Sequence, residues 1–530
     1  MTRTLLTLGD MLETHARLHP ARLGARDLER SLTFGQWNDR SRRLANAMLS
    51  MGLAKGDRVA ILAYNRLEWA ELYAATAKAG IIAVPINFRL SPIEIKFIIE
   101  DCGASAIFAQ DALADAIDDI RHNLKMPDDR FVLFGGKKIV GWRDYENLIA
   151  QSSEERPNTV VVDTDPWALM YTSGTTGKPK GVIRSHRGMA LLSLVTEVEL
   201  GINRNDDALL VMPMCHANSL NFFCSFSYCG AVNTIYSRAS FDAEEALNVM
   251  EKIGSTFTSL VPTHYIMMLS HARSENRKRD LGKMTKMMIS SAPARAETKR
   301  EIMEMFPNSG LFELYGSSEA GWVTMLHPDE QFTNLGTVGR ECVGSAPIRL
   351  MDDDGNEVAD GQAGELYSCT PYTFEGYWNL PEKDKEAFRG DYCSVGDMAV
   401  RNGDGFIQLI DRKKNMIISG GENIYPTEVE SVLGACDAVK DVAVIGLPDD
   451  KWGETVHAVV VLHAGKSISE SDLLAWCDTR IARFKRPRSI SFVSDHDIPR
   501  TATGKVQHGE LKTQILNART ASDASQGAQR

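Results

Sequence analysis

Residues 171–181, YTSGTTGKPKG, hold three glycines, three threonines, a serine and two lysines, and almost nothing that a core could use. Gly174, Gly177 and Gly181 can take positive φ and bring backbone N–H groups close to an anion. Thr172, Ser173, Thr175 and Thr176 add hydroxyl donors, and Lys178 and Lys180 add charge. These residue types describe a phosphate cradle. The segment follows the apolar run WALMY, which reads as a buried strand, and the phosphate loops of kinases and ATPases also follow strands. That loop requires G-x-x-x-x-G-K-[ST]. Here only two residues separate Gly174 from Gly177, and Pro179 follows Lys178 where a magnesium-binding hydroxyl is needed, so the kinase-type reading fails on spacing.

Four further segments follow: YGSSE (Tyr315 to Glu319), SVGD (Ser394 to Asp397), DRKKNMIISGGENIYPTEVE (Asp411 to Glu430) and PRTATGK (Pro499 to Lys505). In type and order, the five segments resemble the adenylate-forming superfamily of acyl-CoA synthetases, luciferases and peptide-synthetase adenylation domains. The resemblance spans nearly the whole chain and is greatest to an acyl-CoA synthetase.

That resemblance assigns roles. Thr172, Ser173, Gly174, Thr175, Thr176, Gly177 and Lys180 would hold the β- and γ-phosphates of ATP. Tyr315 would lie against the adenine, Gly316 would take part in nucleotide binding, and Ser318 would lie near the α-phosphate. Glu319 would bind magnesium, a hard cation that prefers oxygen ligands. Asp397 would accept hydrogen bonds from the ribose hydroxyls, with Arg412 beside it. Lys505 would bridge the substrate carboxylate and the α-phosphate, offsetting the repulsion between two anions. Lys505, Thr172 and Glu319 are the candidate catalytic residues. Lys414 occupies the hinge position, and Gly420 and Gly421 would border the tunnel for the pantetheine of CoA. On this pattern one domain orientation delivers Lys505 and another admits CoA. Acetylation of Lys505 would remove the cation that adenylation needs.

The same resemblance places the acyl pocket along four segments: His216, Asn218 and Ser219; His264; Ser290 and Ser291; and Gly321 with Trp322. Trp322 would close the pocket, and Ser291 stands where glycine is common. The expected substrate is a short or branched acid, with or without a hydroxyl held by His264 or Asn218. An aryl- or medium-chain acyl-CoA ligase is the alternative, and an adenylating enzyme with an acceptor other than CoA is a further one.

These residues need elements to position them. Residues 57–87 read as strand, helix and strand, with Gly80 as the stop, and the alternation recurs at 208–214 and 256–261, which implies an α/β domain with largely parallel pairing. Beyond about residue 335, glycines punctuate short strand-like runs and suggest an antiparallel or barrel-like subdomain. A small α+β unit follows. The expected architecture is a large N-terminal domain (1–413) of helix-flanked sheets with that subdomain, a small mobile C-terminal domain (414–515), and a polar tail without fixed structure (516–530).

Length and composition agree with this plan. At 530 residues the chain exceeds one ordinary core, and 43% hydrophobic with 24% charged content is that of a globular protein. A net charge of −11 opposes general nucleic-acid binding. The start lacks a signal-peptide core, no run is long and apolar enough to span a membrane, and nine scattered cysteines without a C-x-x-C pair fit a reducing cytoplasm. The implied partners are a carboxylic acid, ATP with Mg2+, and CoA; relatives are commonly dimers.

Overall fold

The computed structural model describes residues 6–172, 179–275, 277–290, 294–419, 422–449, 451–478, 480–501 and 504–527. The chain forms two compact units, one of Met1–Ile348 with Ser368–Cys393, the other of Arg349–Tyr367 with Ser394–Arg530.

The first unit contains two sheets. The seven-stranded sheet runs in the order Arg143–Asp144, Phe131–Phe134, Ala106–Gln110, Arg58–Leu62, Ile82–Ile86, Pro166–Thr172, Lys180–Ser185. Only its last pair is antiparallel. The nine-stranded sheet includes the parallel strands Gly310–Ser317, Lys286–Ser290, Phe257–Leu260, Asp207–Leu210 and Val232–Ile235. Side chains alternate along these strands, so each sheet feeds two cores. Val59 and Ile61 join one cluster with Ala208, Leu210 and Met288 of the other sheet, whereas Ala60 and Leu62 face the opposite way, toward Ile95 and Ile98. The helix Glu68–Ala79, buried along its whole length, packs in the shared cluster. Gly80 ends it with φ of 68°, as the sequence predicts.

The second unit holds an antiparallel sheet of Arg349–Met351, Ala363–Tyr367, Asp397–Arg401 and Ile407–Arg412. The barrel-like subdomain expected from the glycine spacing is therefore an open four-stranded sheet: the glycines close turns between neighbouring strands, and the first and last strands do not pair. These strands hydrogen-bond among themselves, and the last leads directly into the turn Lys413–Asn415. The unit accordingly begins well before Lys414, where the sequence motifs place the division. A second sheet is built on the long hairpin Val439–Asp449 and Gly453–Leu462, with Ser489–Phe492 parallel to its second arm. Alternation again separates two cores, Val442 and Val444 facing the helix Pro426–Gly434, Ala443 and Ile445 facing Ile498 and Leu511. The tail expected to lack structure continues the final helix, His508–Gly527; its alanine-rich sequence has adequate helix propensity despite being polar.

Candidate active site

The phosphate-cradle sequence starts and ends on the two arms of the antiparallel pair, where Thr172 and Lys180 are register partners. Ser173, Gly174, Thr175, Thr176 and Gly177 lie outside the described residues, as do Ser291, Gly420 and Gly421.

YGSSE ends the strand Gly310–Ser317 and turns into Gly321–Leu326, its antiparallel partner. Tyr315 is buried and Gly316 sits at the register irregularity of this pair. Gly321 has φ of 71°, and a Cβ there would meet the Tyr372 ring at 2.6 Å, so the turn requires glycine. The turn is clamped from the segment 370–377. Thr370 Oγ1 donates to the Ala320 carbonyl at 2.9 Å, the Phe374 N–H donates to that of Glu319 at 2.7 Å, and Tyr372 donates to that of Trp322 at 2.8 Å.

Glu319 is 8% exposed, and its Oε1 accepts from the Tyr377 hydroxyl at 3.0 Å. Lys180 Nζ lies 4.3 Å from the centroid of the Tyr377 ring. Burial lowers the Lys180 pKa, and the Glu319 charge offsets part of that effect. Among the described residues no cation forms an ion pair with Glu319, and no group of three or more His, Cys, Asp or Glu is placed to hold a metal. One buried carboxylate, engaged on one oxygen by a neutral hydroxyl, fits a magnesium ion whose remaining ligands are phosphate oxygens and water.

Two residues near Glu319 escape a reading by motif. Arg184 is 3% exposed and its Nη1 donates to the Ser318 and Glu319 carbonyls at 3.1 and 3.4 Å. Burial pulls its pKa down to about 10. The signal available in the sequence was a lone arginine in the otherwise apolar run GVIRS directly after the cradle. Tyr377 lies 58 residues beyond Glu319, and only the fold brings the two together.

In the second unit, the structure brings three predicted residues together. Asp397 and Arg412 are cross-strand register partners, and Arg412 Nε lies 2.7 Å from Asp397 Oδ1. Lys505 senses both of their charges. Thr501 N–H donates to the Lys505 carbonyl at 2.7 Å, and Gly504, with φ of 83°, donates to that of Thr501 at 2.9 Å. Lys505 is exposed by surface area. Protein packed around its head nevertheless lowers its pKa, Arg412 lowers it further, and Asp397 offsets part of the effect. Lys414 is exposed in the turn Lys413–Asn415, where Lys413 is tied to Glu365 at 3.0 Å and Asp353 at 2.7 Å.

Of the acyl-pocket candidates, Asn218 and Ser290 meet where the parallel strands Phe257–Leu260 and Lys286–Ser290 end, the edge where α/β sheets bind ligands, whereas Trp322 lies on the antiparallel strand Gly321–Leu326. Asn65 accepts from the Met214 N–H at 2.7 Å and donates to the carbonyls of Val211 and Met212, fixing the segment before His216. Asn218 Nδ2 donates to Ser259 Oγ at 3.1 Å and to Ser290 Oγ at 2.9 Å. Ser219 is turned away and donates to the Met212 carbonyl at 2.6 Å. His264 stacks on Phe241 at 4.2 Å, and burial followed by the Arg89 charge lowers its pKa to about 4. Trp322 packs on Phe222 with centroids 5.2 Å apart, and its Nε1 donates to Thr196 Oγ1 at 2.8 Å.

Comparison with known proteins accounts for this arrangement. The AMP-binding enzyme family matches residues 12–378, and the AMP-binding enzyme C-terminal domain matches residues 428–505. The chain belongs to the AMP-binding enzyme family. It is 32% identical over 513 residues to the indoleacetate–CoA ligase of Aromatoleum aromaticum, covering 96% of this chain and 98% of that one. It is 31% identical over 486 residues to the long-chain-fatty-acid–CoA ligase FadD13 of Mycobacterium tuberculosis, covering 91% and 93%. Among solved structures it resembles the anthranilate CoA ligase AuaEII in complex with anthranoyl-AMP, with a TM-score of 0.87 at 26% identity, covering 97% and 98%. The chain is an AMP-forming acid–thiol ligase whose substrates are a carboxylic acid, ATP and CoA. Among the described residues no helix is long and apolar enough to cross a membrane, and the cysteines form no disulfide.

Proposed function

We propose that this ligase acts on a compact carboxylic acid, short or branched, with or without a hydroxyl. The observation that carries this reading is the Asn218–Ser259–Ser290 cluster: the two serine oxygens accept from Asn218, which leaves their own protons to donate to an acceptor on the acid. Trp322, held by Phe222 and Thr196, forms a fixed wall that limits length.

The chain's residues divide the work. Thr172, Lys180 and the glycine-rich residues 173–177 bind the β- and γ-phosphates, Tyr315 and Gly316 take the adenine, Ser318 the α-phosphate, and Asp397 with Arg412 the ribose. Lys505 offers its cation to the acid's carboxylate and the α-phosphate, reducing their repulsion. A carboxylate oxygen bonds to the α-phosphorus as the bond to the bridging oxygen of pyrophosphate breaks. The sulfur of CoA, having lost its proton, then bonds to the acyl carbon and AMP leaves. Glu319 would hold Mg2+, which when bound supplies neutralisation of phosphate charge. Lys414 would serve as the hinge between the two steps, and Gly420 and Gly421, glycines in the sequence, would border the tunnel for the pantetheine arm.

A compact aromatic acid is the second reading, favoured by relatives named for indoleacetate and anthranilate. The test supplies Mg·ATP and a panel of hydroxy, branched, aromatic and long-chain acids, with and without CoA, and follows pyrophosphate, AMP and thioester. Preference for long-chain acids would overturn the compact-acid reading, and AMP without thioester would point to another acceptor.

A further inference from the structure

Arg184 is costly where it stands. It lies within the strand Lys180–Ser185, opposite Ala168, and is almost wholly buried. Among the described residues no carboxylate ion-pairs with it, and its Nη2 finds no acceptor. Glu319 and Glu375 offset part of the burial cost from a distance, but a guanidinium taken from water without a direct ion pair and with one nitrogen unsatisfied disfavours the folded state, and an apolar chain of similar length would relieve that cost. What the arginine does accomplish is local: Nη1 reaches the backbone carbonyls of Ser318 and Glu319. The Glu319 carbonyl also accepts from the Phe374 N–H at 2.7 Å, and its carboxylate accepts from Tyr377. Glu319 is thus held at both backbone and side chain by groups from two other segments.

We propose that Arg184 is a positioning residue, which fixes the Ser318–Glu319 backbone so that the Glu319 carboxylate is presented to the metal of the bound nucleotide. This rests on the reading of Glu319 as the metal-binding carboxylate. The cost is then a consequence of function: Nη1 alone reaches two successive carbonyls, and the planar guanidinium holds that nitrogen in a fixed orientation that a freely rotating ammonium lacks. The lone orphan nitrogen marks a residue chosen for those carbonyls and not for the stability of the strand.

The test uses the full chain with Arg184→Met and Arg184→Lys. Calorimetric titration measures affinity for ATP with Mg2+ and for ATP with chelator, alongside the Mg2+ dependence of ATP–pyrophosphate exchange and the melting temperature. Arg184→Met is expected to melt at or above the wild-type temperature. Its affinity for Mg·ATP should fall about tenfold while that for metal-free ATP stays within about twofold, and half-maximal exchange should need about tenfold more Mg2+. Arg184→Lys should fall between the two. Equal loss of affinity with and without metal, or wild-type metal dependence in a folded Arg184→Met protein, would overturn the proposal. Should Arg184→Met not fold, Arg184→Lys decides by the same ratio of affinities. Absence of exchange in the wild-type protein with every acid would instead strike the enzymatic reading of the site, so the two failures are separable.

Discussion

The hydroxyl of Tyr377 donates to the carboxylate of Glu319 across 3.0 Å, joining a residue of the segment after 370 to the end of YGSSE. The Tyr377 ring also carries Lys180 over its face. A hydrogen bond to a charged group contributes about 2 kcal/mol, so Tyr377→Phe keeps the ring but releases the carboxylate. ATP–pyrophosphate exchange should fall about tenfold or more, whereas thioester formation from supplied acyl-AMP should change little. Exchange at the wild-type rate would show that the hydroxyl only satisfies a buried oxygen.

Lys505 gives a pH signature. Adenylation needs the cation, so its rate should fall as pH rises through the folded pKa of Lys505, which lies below the ordinary value of 10.5. Asp397 is the neighbour that favours the proton. Asp397→Asn should therefore move the alkaline limb to lower pH in addition to weakening nucleotide binding, and Lys505→Arg should remove the limb. Exchange rates at saturating ATP over roughly pH 7 to 10 supply the check. Lys505→Met should lose adenylation by about 100-fold or more while still converting acyl-AMP to thioester; equal loss of both steps would contradict the assigned role.

The candidate site is legible in the sequence where its residues are contiguous. YGSSE, SVGD and PRTATGK carry their residues within a few positions, and Gly80 and Gly504 announce the turns that they make. What pairing alone decides was not legible. Arg184 reaches the Ser318 and Glu319 carbonyls only because its strand doubles back on Pro166–Thr172, and Tyr377 reaches Glu319 only through the segment 370–377. Glycine spacing in 344–364 correctly implied short antiparallel strands but could not say whether the ends meet, because closure depends on which edges find partners. Asn218, a candidate with His264 for holding a polar group of the acid, directs its Nδ2 to serines on two different strands, a pairing that sequence distance hides.

Stability should depend on an ion-pair cluster around the buried Lys78. Lys78 Nζ meets Glu13 at 2.6 Å, Asn38 at 2.8 Å and the Gly9 carbonyl at 3.2 Å, with Arg42 on the far side of Glu13. Burial opposes ionisation of Glu13, but Arg42 and Lys78 outweigh it and hold the carboxyl at about 2. Because this pKa lies below the unfolded value, the stabilisation is present above about pH 4.5 and is lost as pH falls toward 2, an effect of about 3 kcal/mol. Burial pushes Lys78 down to about 8, so it depends on its partner. Glu13→Gln should destabilise the protein by about 3 kcal/mol at neutral pH, and adding Lys78→Met should recover most of that loss. Urea unfolding of the single and double variants checks the coupling; additive losses would show that the pair does not act together.

Trp322 links specificity to folding, and the two effects can be told apart. The side chain is 5% exposed, its ring packs on Phe222, its Nε1 is held by Thr196, and its carbonyl by Tyr372. Trp322→Gly removes a buried aromatic and should cost about 3–5 kcal/mol, with a further loss from glycine in a strand. If the ring is the wall of the acyl pocket, the same change should raise kcat/KM for longer acids relative to compact ones by about tenfold or more, since each methylene accommodated is worth about 1–3 kcal/mol. Trp322→Leu opens less space and should shift the preference in the same direction by a smaller factor at smaller cost in stability. Rates per folded molecule, measured across a series of acids of increasing length below the melting temperature of each variant, separate the two effects. A series in which both variants lose stability yet keep the wild-type length preference would remove Trp322 from the pocket and leave it a core residue bridging Phe222 and Thr196.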